Sequence, residues 1–314
     1  MRLGCDDVIL MGSPLAHQTG FMYGLMMPIM LGASAVMLDV WDPSNAVRLI
    51  QAHGVTFTMA STPFLTDLTK TVAAGGETVP SLRAFLCAGA PIPGPVVEQA
   101  RKVLGAKIVS AWGMTENGAV TLTRLEDDDT RASTTDGCPL PGVELRVVDV
   151  DDRDLPTGET GRLLVRSCSN FGGYLKRAQW NGTDAAGWFD TGDMAWLDAT
   201  GYVRIAGRSK DVIIRGGENI PVVEIEALLY RHPAVATVAI VAYPDERLGE
   251  RACAVVVPRP GQSIDLPALT AFLASHKVAR QYWPERLEVR EALPTTPTGK
   301  IQKFKLREML QTGE

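Results

Sequence analysis

The 314-residue sequence predicts a parallel α/β unit, then a β-rich region, then a small α+β unit. Three observations predict this fold class. Between Asp7 and Trp112, short apolar runs alternate with helical patterns, which is typical of buried parallel strands joined by crossover helices. From Val143 to Ile205, short strands are separated by turns rich in Pro, Gly and Asp, which indicates antiparallel pairing. After Gly207, strands and helices mix over about 100 residues, a normal size for a domain.

The first region is predicted to contain five strands and four crossover helices. The predicted strands are Val8–Met11, Ala33–Leu38, Thr56–Ala60, Leu82–Ala88 and Ile108–Ala111. The predicted helices are Gln18–Met30, Pro43–Ala52, Pro63–Val72 and Pro95–Leu104. Asp42 before Pro43 is a helix start signal, because the carboxylate caps free amides and the proline ring pre-sets the first helical φ.

The two later regions are predicted from shorter patterns. The β-rich strands are Val143–Val148, Leu163–Val165, Met194–Leu197 and Tyr202–Ile205. The last region is predicted to contain strands Val212–Ile214, Val235–Val241 and Ala252–Val257, helices Val222–Tyr230 and Leu266–Ser275, and a loop-rich tail. We therefore divide the chain into a large domain, 1–207, with an α/β part (1–120) and a β-rich part (121–207), and a C-terminal α+β domain, 208–314.

Composition excludes several classes of protein. The net charge is −5 and basic residues are spread along the chain, which excludes a nucleic-acid footprint. The five cysteines are far apart and lack CxxC spacing, so we expect free thiols in a cytoplasmic protein. The uncharged run Phe21–Leu38 is broken by Gly24, Pro28 and Gly32, which favours a buried helix and strand over a membrane span. No basic stretch leads into an N-terminal apolar run, so no signal peptide is predicted.

The segment Ser110–Asn117 carries the first chemical motif. A predicted strand ends in a glycine turn with a hydroxyl and a carboxylate side by side, on Thr115 and Glu116. Open α/β sheets bind ligands at the carboxyl ends of their strands. A hydroxyl can donate to phosphate and a carboxylate can hold Mg²⁺. From these residues alone, an ordinary exposed loop is an equal alternative.

Two further motifs contain glycine turns beside charged residues. In Asp190–Asp193, an aspartate after a glycine can accept hydrogen bonds from a ribose diol, and the alternative is a turn aspartate that binds its own backbone. Gly207–Asp211 is a charged junction, and the paired glycines of Gly216–Asn219 permit a swivel and a close backbone approach. The alternative for the junction is a solvated turn between domains.

The segment Pro294–Lys303 presents a lysine after a glycine. It is not a phosphate loop of the Walker type, because Pro294 replaces the first glycine and Ile301 replaces the hydroxyl. What remains is a stiff, turn-rich loop that presents one lysine, the arrangement that delivers a point positive charge.

Together, these four motifs resemble the adenylate-forming superfamily of acyl- and aryl-CoA synthetases, peptide-synthetase adenylation domains and beetle luciferases. Ser13–Gly20 and Ala88–Pro91 are similar to two further family motifs. Arg215–Pro221 and Tyr282–Leu287 look most like cyclohexanecarboxylate-CoA ligases and related acyl-CoA ligases. The resemblance implies two half-reactions of fatty acid metabolism. A carboxylate attacks ATP to give an acyl-adenylate, and the CoA thiol then displaces AMP.

The resemblance also implies a role for each site residue. The implied catalytic residues are Lys300, Thr115 and Glu116, with Glu116 as the Mg²⁺ ligand. The implied nucleotide-binding residues are Gly89, Ala90, Pro91, Trp112, Asp193 and Arg208. The implied acyl pocket consists of His17, Phe21, Ala111, Gly113 and Val120, and the alternative for His17 is simple helix-entry packing. Lys210 matches the hinge of a domain alternation that exchanges Lys300 for a CoA channel at Gly216 and Gly217.

One family feature is missing from the sequence. The Ser/Thr/Gly-rich loop that cradles the β- and γ-phosphates of ATP is not found, so we expect that the N-terminal part of the large domain is absent, that apolar surface is exposed and that adenylation is impaired. Two alternatives stay open. One is a catalytically dead nucleotide-binding or assembly module. The other is a peptide-synthetase adenylation domain, which is weakened because only Ile301–Glu314 follow the lysine motif.

The substrate and the assembly state are only broadly indicated. The implied pocket residues are small or apolar apart from the histidine, which suggests an apolar aliphatic or alicyclic acid. Self-association into a homo-oligomer is left open.

Overall fold

The computed structural model describes residues 1–89, 92–216, 218–296 and 299–312, with Asp129 and Thr312 described for their backbone alone. The chain forms two compact units. The first comprises Met1–Thr191 and Trp196–Ile205, and the second comprises Gly192–Ala195 and Ala206–Glu314.

The first unit is built on a seven-stranded sheet, with the strand order β2-β1-β3-β4-β5-β6-β7. Its strands are β1 (Val8–Met11), β2 (Ser34–Met37), β3 (Phe57–Ala60), β4 (Ala84–Cys87), β5 (Lys107–Met114), β6 (Gly118–Leu122) and β7 (Cys138–Pro139). Strands β1 to β5 pair in parallel, and β6 and β7 add antiparallel pairs. The parallel α/β prediction is therefore confirmed. The central strands β3 and β4 are buried along their whole length, as apolar side chains such as Phe57 and Phe85 show.

Crossover helices connect the parallel strands. They are a π-helical segment (Gly20–Met26) that continues into α1 (Met27–Leu31), then α2 (Pro43–His53), α3 (Thr62–Gly75) and α4 (Gly94–Leu104). The short α5 (Asp129–Thr134) lies between the antiparallel strands β6 and β7. The helix predicted from Gln18 is therefore partly a π-helix. Pro28 has no amide to donate to the turn before it, which disturbs the α-helical ladder there.

A four-stranded sheet, β11-β10-β9-β8, makes up the β-rich region. Its strands are β8 (Val143–Val148), β9 (Gly161–Ser167), β10 (Phe189–Leu197) and β11 (Val203–Arg208). The predicted antiparallel pairing is confirmed for β8 and β9, where Leu145 lies opposite Val165. The prediction that Asp193 follows a turn is wrong, because it lies inside β10, whose alternate side chains are buried.

The second unit has a five-stranded sheet in which β13-β12-β15-β14 are neighbours and β16 pairs in parallel with β15. Its strands are β12 (Ile213–Arg215), β13 (Glu218–Ile220), β14 (Val235–Asp245), β15 (Gly249–Pro258) and β16 (Arg286–Val289). Its helices are α6 (Val222–Leu229), α7 (Leu266–Ser275) and α8 (Lys303–Thr312). The prediction of a loop-rich tail is wrong, because the tail contains β16 and α8.

Large apolar side chains are exposed along one stretch of the first unit. Between Leu15 and Val40, Ile29 and Met30 are 67% and 78% exposed, and Val40 is 71% exposed. Strand β2, in the same stretch, is the edge strand of the sheet. Exposed apolar clusters of this kind mark surfaces prone to association. Across the described ranges, no helix is long and apolar enough to cross a membrane. All five cysteines are free thiols, as predicted.

Candidate functional site

The carboxyl ends of β1, β4 and β5 carry predicted site residues of the first unit. These strands belong to one parallel sheet, so their carboxyl ends lie along the same edge. The loop after β1 carries His17, Gly89 follows β4, and Thr115 and Glu116 follow β5. This is the edge at which open α/β sheets bind ligands. Ala90 and Pro91, predicted to bind the nucleotide, lie outside the described residues.

Thr115 and Glu116 form the tip of a tight hairpin between β5 and β6. The amide of Asn117 donates to the Met114 carbonyl over 3.2 Å, and the Asn117 side chain, fully buried, accepts from the Met114 amide over 3.1 Å. A Cβ on Gly113 would overlap the Gly118 carbonyl oxygen. The prediction that Gly113 lies in a turn is wrong, because β5 runs on to Met114 and the chain reverses one residue later. The hairpin therefore depends on close backbone approach.

Two aromatic residues hold Glu116 in place. The Tyr174 hydroxyl donates to Glu116 Oε1 over 2.6 Å, and the Phe171 amide donates to the Glu116 carbonyl oxygen over 2.6 Å. The two rings meet edge to face, with centroids 4.8 Å apart. Sequence reasoning missed both residues. Their only signal is an aromatic pair on either side of Gly172 and Gly173.

The loop after β1 reaches the Thr115 hairpin. The Gln18 side-chain amide donates to the Thr115 carbonyl oxygen over 3.3 Å. His17, next to Gln18, is exposed, and its Nδ1 accepts the Thr19 amide over 3.2 Å. The structure thus brings two predicted motifs together, the histidine segment and the hydroxyl–carboxylate turn.

The other predicted pocket and adenine residues differ in exposure. Phe21 is 46% exposed, whereas Ala111 and Val120 are buried on β5 and β6. Trp112 and Gly113 are half-buried on β5. Gly89 is exposed and has φ +85°, a conformation that glycine adopts at little cost.

A second group of predicted residues lies in the second unit. Arg208 Nε lies 2.6 Å from Asp193 Oδ1, and the Asp193 side chain is only 5% exposed. The Ser209 hydroxyl donates to the Gly192 carbonyl oxygen over 3.0 Å, which ties the start of the junction to β10. Gly192 has φ +69°, so this strand bends at the residue before the buried carboxylate.

Lys300 lies in a loop that is closed by its own hydrogen bonds. The Thr296 amide donates to the Lys300 carbonyl over 2.8 Å, and the Lys300 amide donates to the Thr296 hydroxyl over 3.1 Å. Although the side chain is exposed, partial desolvation lowers the pKa of its amine, and the Arg208 guanidinium lowers it further. The carboxylates of Asp193 and Asp211 oppose this shift. The charges of two other predicted site residues, Asp193 and Arg208, therefore both act on the pKa of the Lys300 amine.

The predicted hinge and CoA-channel residues also belong to the second unit and lie close to each other in the sequence. Lys210 is exposed in a 3₁₀ turn (Ser209–Asp211). The Gly216 amide donates to the Leu248 carbonyl oxygen over 2.8 Å. Gly216 borders an open cleft of about 430 Å³, whose lining comprises Arg215, Gly216, Glu218, Leu248, Arg280 and Gln281. Gly217 lies outside the described residues.

The donor set at Glu116 fits a magnesium ion bound jointly with phosphate. Mg²⁺ commonly uses one or two carboxylates, with substrate phosphates and water completing its octahedron. No group of three or more His, Cys, Asp or Glu side chains that could hold a metal occurs in the described part of the chain. Glu116 as the ligand of such an ion stays a prediction.

The fold and the site define a class of proteins. A parallel α/β unit with a hydroxyl and a carboxylate beyond β5, together with an α+β unit that presents a loop lysine, is the arrangement of adenylate-forming proteins. The family described as AMP-binding enzyme matches residues 1–175, and the AMP-binding enzyme C-terminal domain matches residues 224–300. The chain belongs to the AMP-binding enzyme family.

Individual relatives support this assignment. The chain is 39% identical over 310 residues to a medium-chain fatty-acid–CoA ligase of Escherichia coli, covering 98% of this chain and 55% of the ligase. It is 38% identical over 314 residues to a salicylyl-CoA synthase / salicylate adenylyltransferase of a Streptomyces species, covering 98% and 57%. The ATP-bound MatB structure from Rhodopseudomonas palustris superposes with a TM-score of 0.90 at 28% identity, covering 99% and 61%. The chain thus spans little more than half the length of these curated relatives.

Proposed function

We propose that this chain carries the catalytic residues of an acid–thiol ligase of the acyl-CoA synthetase type. The ligase joins a small carboxylic acid to ATP as an acyl-adenylate, with release of pyrophosphate, and then transfers the acyl group to CoA with release of AMP. One observation carries the proposal. The Asp193 carboxylate is buried and lies 2.6 Å from Arg208 Nε, an arrangement suited to a ribose, and the charges of both side chains act on the pKa of the Lys300 amine.

Charge explains the role of each residue in the first half-reaction. A carboxylate that attacks the α-phosphorus approaches a polyanion, so a cation on the developing charge gives the largest stabilisation. Lys300 would bridge the carboxylate and the α-phosphate, and Thr115 would donate a hydrogen bond to the same phosphate. Glu116 would hold Mg²⁺, which neutralises phosphate charge when bound.

The nucleoside and the acid would be held by separate groups. Asp193 would accept the ribose hydroxyls with help from Arg208, and Trp112 would stack on an adenine bordered by Gly89. Relatives are named for a medium-chain fatty acid and for salicylate. The pocket assigned to this chain, His17, Phe21, Ala111, Gly113 and Val120, suits an apolar aliphatic or alicyclic acid.

The second half-reaction would use the Gly216 cleft. In this step the CoA thiol gives up its proton to the solvent and its sulfur attacks the acyl carbon. The bond between that carbon and the phosphate oxygen breaks, and AMP leaves with the electron pair. We propose that residues 208–314 act as a mobile domain hinged at Lys210 and that Gly216, with Gly217, lines the path of the CoA thiol. We propose that the reaction takes place in the cytoplasm.

Replacement of Lys300 tests the proposal directly. Lys300→Ala is expected to reduce carboxylate-dependent ATP–pyrophosphate exchange by about 100-fold or more, because an aligned charge is lost at the transition state. Lys305→Ala is the matched control, since Lys305 is an exposed lysine on α8 and should leave the exchange unchanged. Exchange at the full rate in Lys300→Ala would refute the role of this lysine.

A nucleotide-binding module without turnover is the second candidate. It would use the same buried Asp193 carboxylate and its Arg208 partner to hold a ribose. AMP binding measured by calorimetry without any acyl-CoA formation would support this candidate, whereas thioester formation by the chain would exclude it.

A further inference from the structure

Helix α8, which begins three residues after Lys300, carries two cations on one face. Lys303 and Arg307 are four residues apart, so their side chains lie on the same side of the helix. Lys303 Nζ lies 2.7 Å from Glu226 Oε1, and Arg307 Nη1 lies 2.5 Å from Asp211 Oδ1. Each cation thus reaches a carboxylate on a different element of the second unit.

Apolar packing fixes the axis of α8. Leu306 is 2% exposed and packs in a cluster with Ala239 and Val241 of β14, and Met309 and Leu310 pack against the same cluster. Packing of this kind sets the distance between the helix and the sheet beneath it. The two ion pairs on the neighbouring face then fix its rotation and its position along its axis.

The Glu226 end of this arrangement is strongly held. Glu226 is buried on α6, and its Oε1 also accepts the Ile240 amide over 2.6 Å. Removal of Lys303 would leave a buried carboxylate without its cation, which is costly. The Asp211 end is more exposed, since the side chains of Asp211 and Arg307 are 27% and 29% exposed.

The Asp211 end also connects α8 to the charges around Lys300. Asp211 is the last residue of the 3₁₀ turn that contains Lys210, and its carboxylate acts on the Lys300 amine. The Lys300 loop is short and closed, with the Gln302 amide donating to the Pro294 carbonyl over 2.8 Å. Because these bonds close the loop and α8 follows it directly, a shift of α8 would also move the Lys300 amine.

We propose that Lys303 and Arg307 are positioning residues that hold the Lys300 loop to α6 and to the Lys210 turn. The proposal rests on the catalytic role proposed for Lys300. Through the Asp211–Arg307 pair, the turn at Lys210 and the lysine loop move as one body, so the position of the amine relative to the proposed hinge stays fixed. The pair also gives the loop a salt-sensitive attachment, because both side chains are partly exposed.

Hydrogen exchange of the loop amides tests this role without substrate. In Arg307→Ala, the amides of Gly299, Lys300 and Gln302 are expected to exchange about three- to tenfold faster, with amides of β14 and β15 unchanged. Asp211→Asn, which is nearly isosteric, should give the same pattern. Lys305→Ala, on the same helix, should give none. The exchanged pair Asp211→Arg with Arg307→Asp should restore protection towards the parent value.

Two outcomes would overturn the proposal. One is unchanged exchange of the loop amides in both Arg307→Ala and Asp211→Asn. The other is an equal increase throughout β14 and β15, which would show general destabilisation instead of a local attachment. Failure of the proposed function would look different, because Lys300→Ala would then leave pyrophosphate exchange intact while the amide pattern of Arg307→Ala still appeared.

Discussion

The Thr115–Glu116 hairpin and the Lys300 loop each present site residues at a tight turn, yet different forces hold them. The hairpin is held by close backbone contact between Gly113 and Gly118 and by the buried Asn117 side chain. The Lys300 loop is closed by short local hydrogen bonds and is attached through ion pairs of α8. Steric contact is insensitive to salt, whereas partly exposed ion pairs are screened. The hairpin of the first unit is therefore rigid by shape, whereas the attachment of the lysine loop in the second unit depends on charge.

The largest effect is expected from a substitution that adds a single methyl group to the hairpin and disrupts it. In Gly113→Ala, the new Cβ would overlap the Gly118 carbonyl oxygen and lie 3.0 Å from Ala119 Cα. We expect the free energy of unfolding to fall by about 3 kcal/mol, measured by urea denaturation. Gly172→Ala is the control, because nothing lies within 4 Å of its added Cβ. Equal stability of the two variants would contradict a sterically held hairpin.

An intermediate effect is expected from acid, at a place where the first unit does depend on charge. Burial raises the pKa of Asp198, but hydrogen bonds from Thr200 and Tyr202 and the Arg131 ion pair outweigh burial and lower the pKa to about 2. A carboxylate whose folded pKa is depressed stabilises the fold above its unfolded pKa, and this contribution is lost as the pH falls from about 4 to about 2.

We expect Asp198 to account for a loss of about 2 kcal/mol in the stability of the first unit across that pH window. Urea unfolding at pH 5 and at pH 2, followed by a probe in β10 or β11, measures the loss. Asp198→Asn cannot titrate at this position and should show a correspondingly smaller change. A parent protein that is no more acid-sensitive than Asp198→Asn would disprove the assignment.

The smallest effect is expected for the hydrogen bond at the tip of the hairpin. Tyr174 donates to Glu116 from outside the hairpin, and the tyrosine is partly exposed, so a double-mutant cycle of Tyr174→Phe and Glu116→Gln should give a coupling energy of about 1 kcal/mol in unfolding experiments. Zero coupling would mean that the carboxylate is positioned by the hairpin backbone alone.

Much of the fold was predictable because local patterns decided it. Val8–Met11, Val143–Val148 and Leu266–Ser275 have the predicted bounds, since each is a clear apolar run or helical pattern with turn or capping residues beside it. Strand β10 was cut short in the prediction because Asp190 and Gly192 are poor strand formers, although alternate side chains along it are buried. Helix α8 was missed because Lys305, Arg307 and Glu308 interrupt its four apolar side chains.

The candidate site was predictable only where a motif is local in the sequence. Adjacent residues such as Thr115 and Glu116 stand out by their chemistry, as does a lysine after a glycine. Tyr174, 58 residues from Glu116, and Asp211, 96 residues from Arg307, carry no such signal. Their importance arises from strand order and helix packing, which bring distant side chains within hydrogen-bonding distance.

The missing side chain of Gly113 has a consequence for genetic screens. Under the role proposed for Lys300, saturation mutagenesis scored by product formation would rank this glycine beside that lysine, with almost every replacement inactive. Only a parallel score for abundance would separate the two positions, since the lysine variants would accumulate as folded protein and the glycine variants would be degraded. At this hairpin, a glycine tolerates no replacement because two backbone segments leave no room for a side chain.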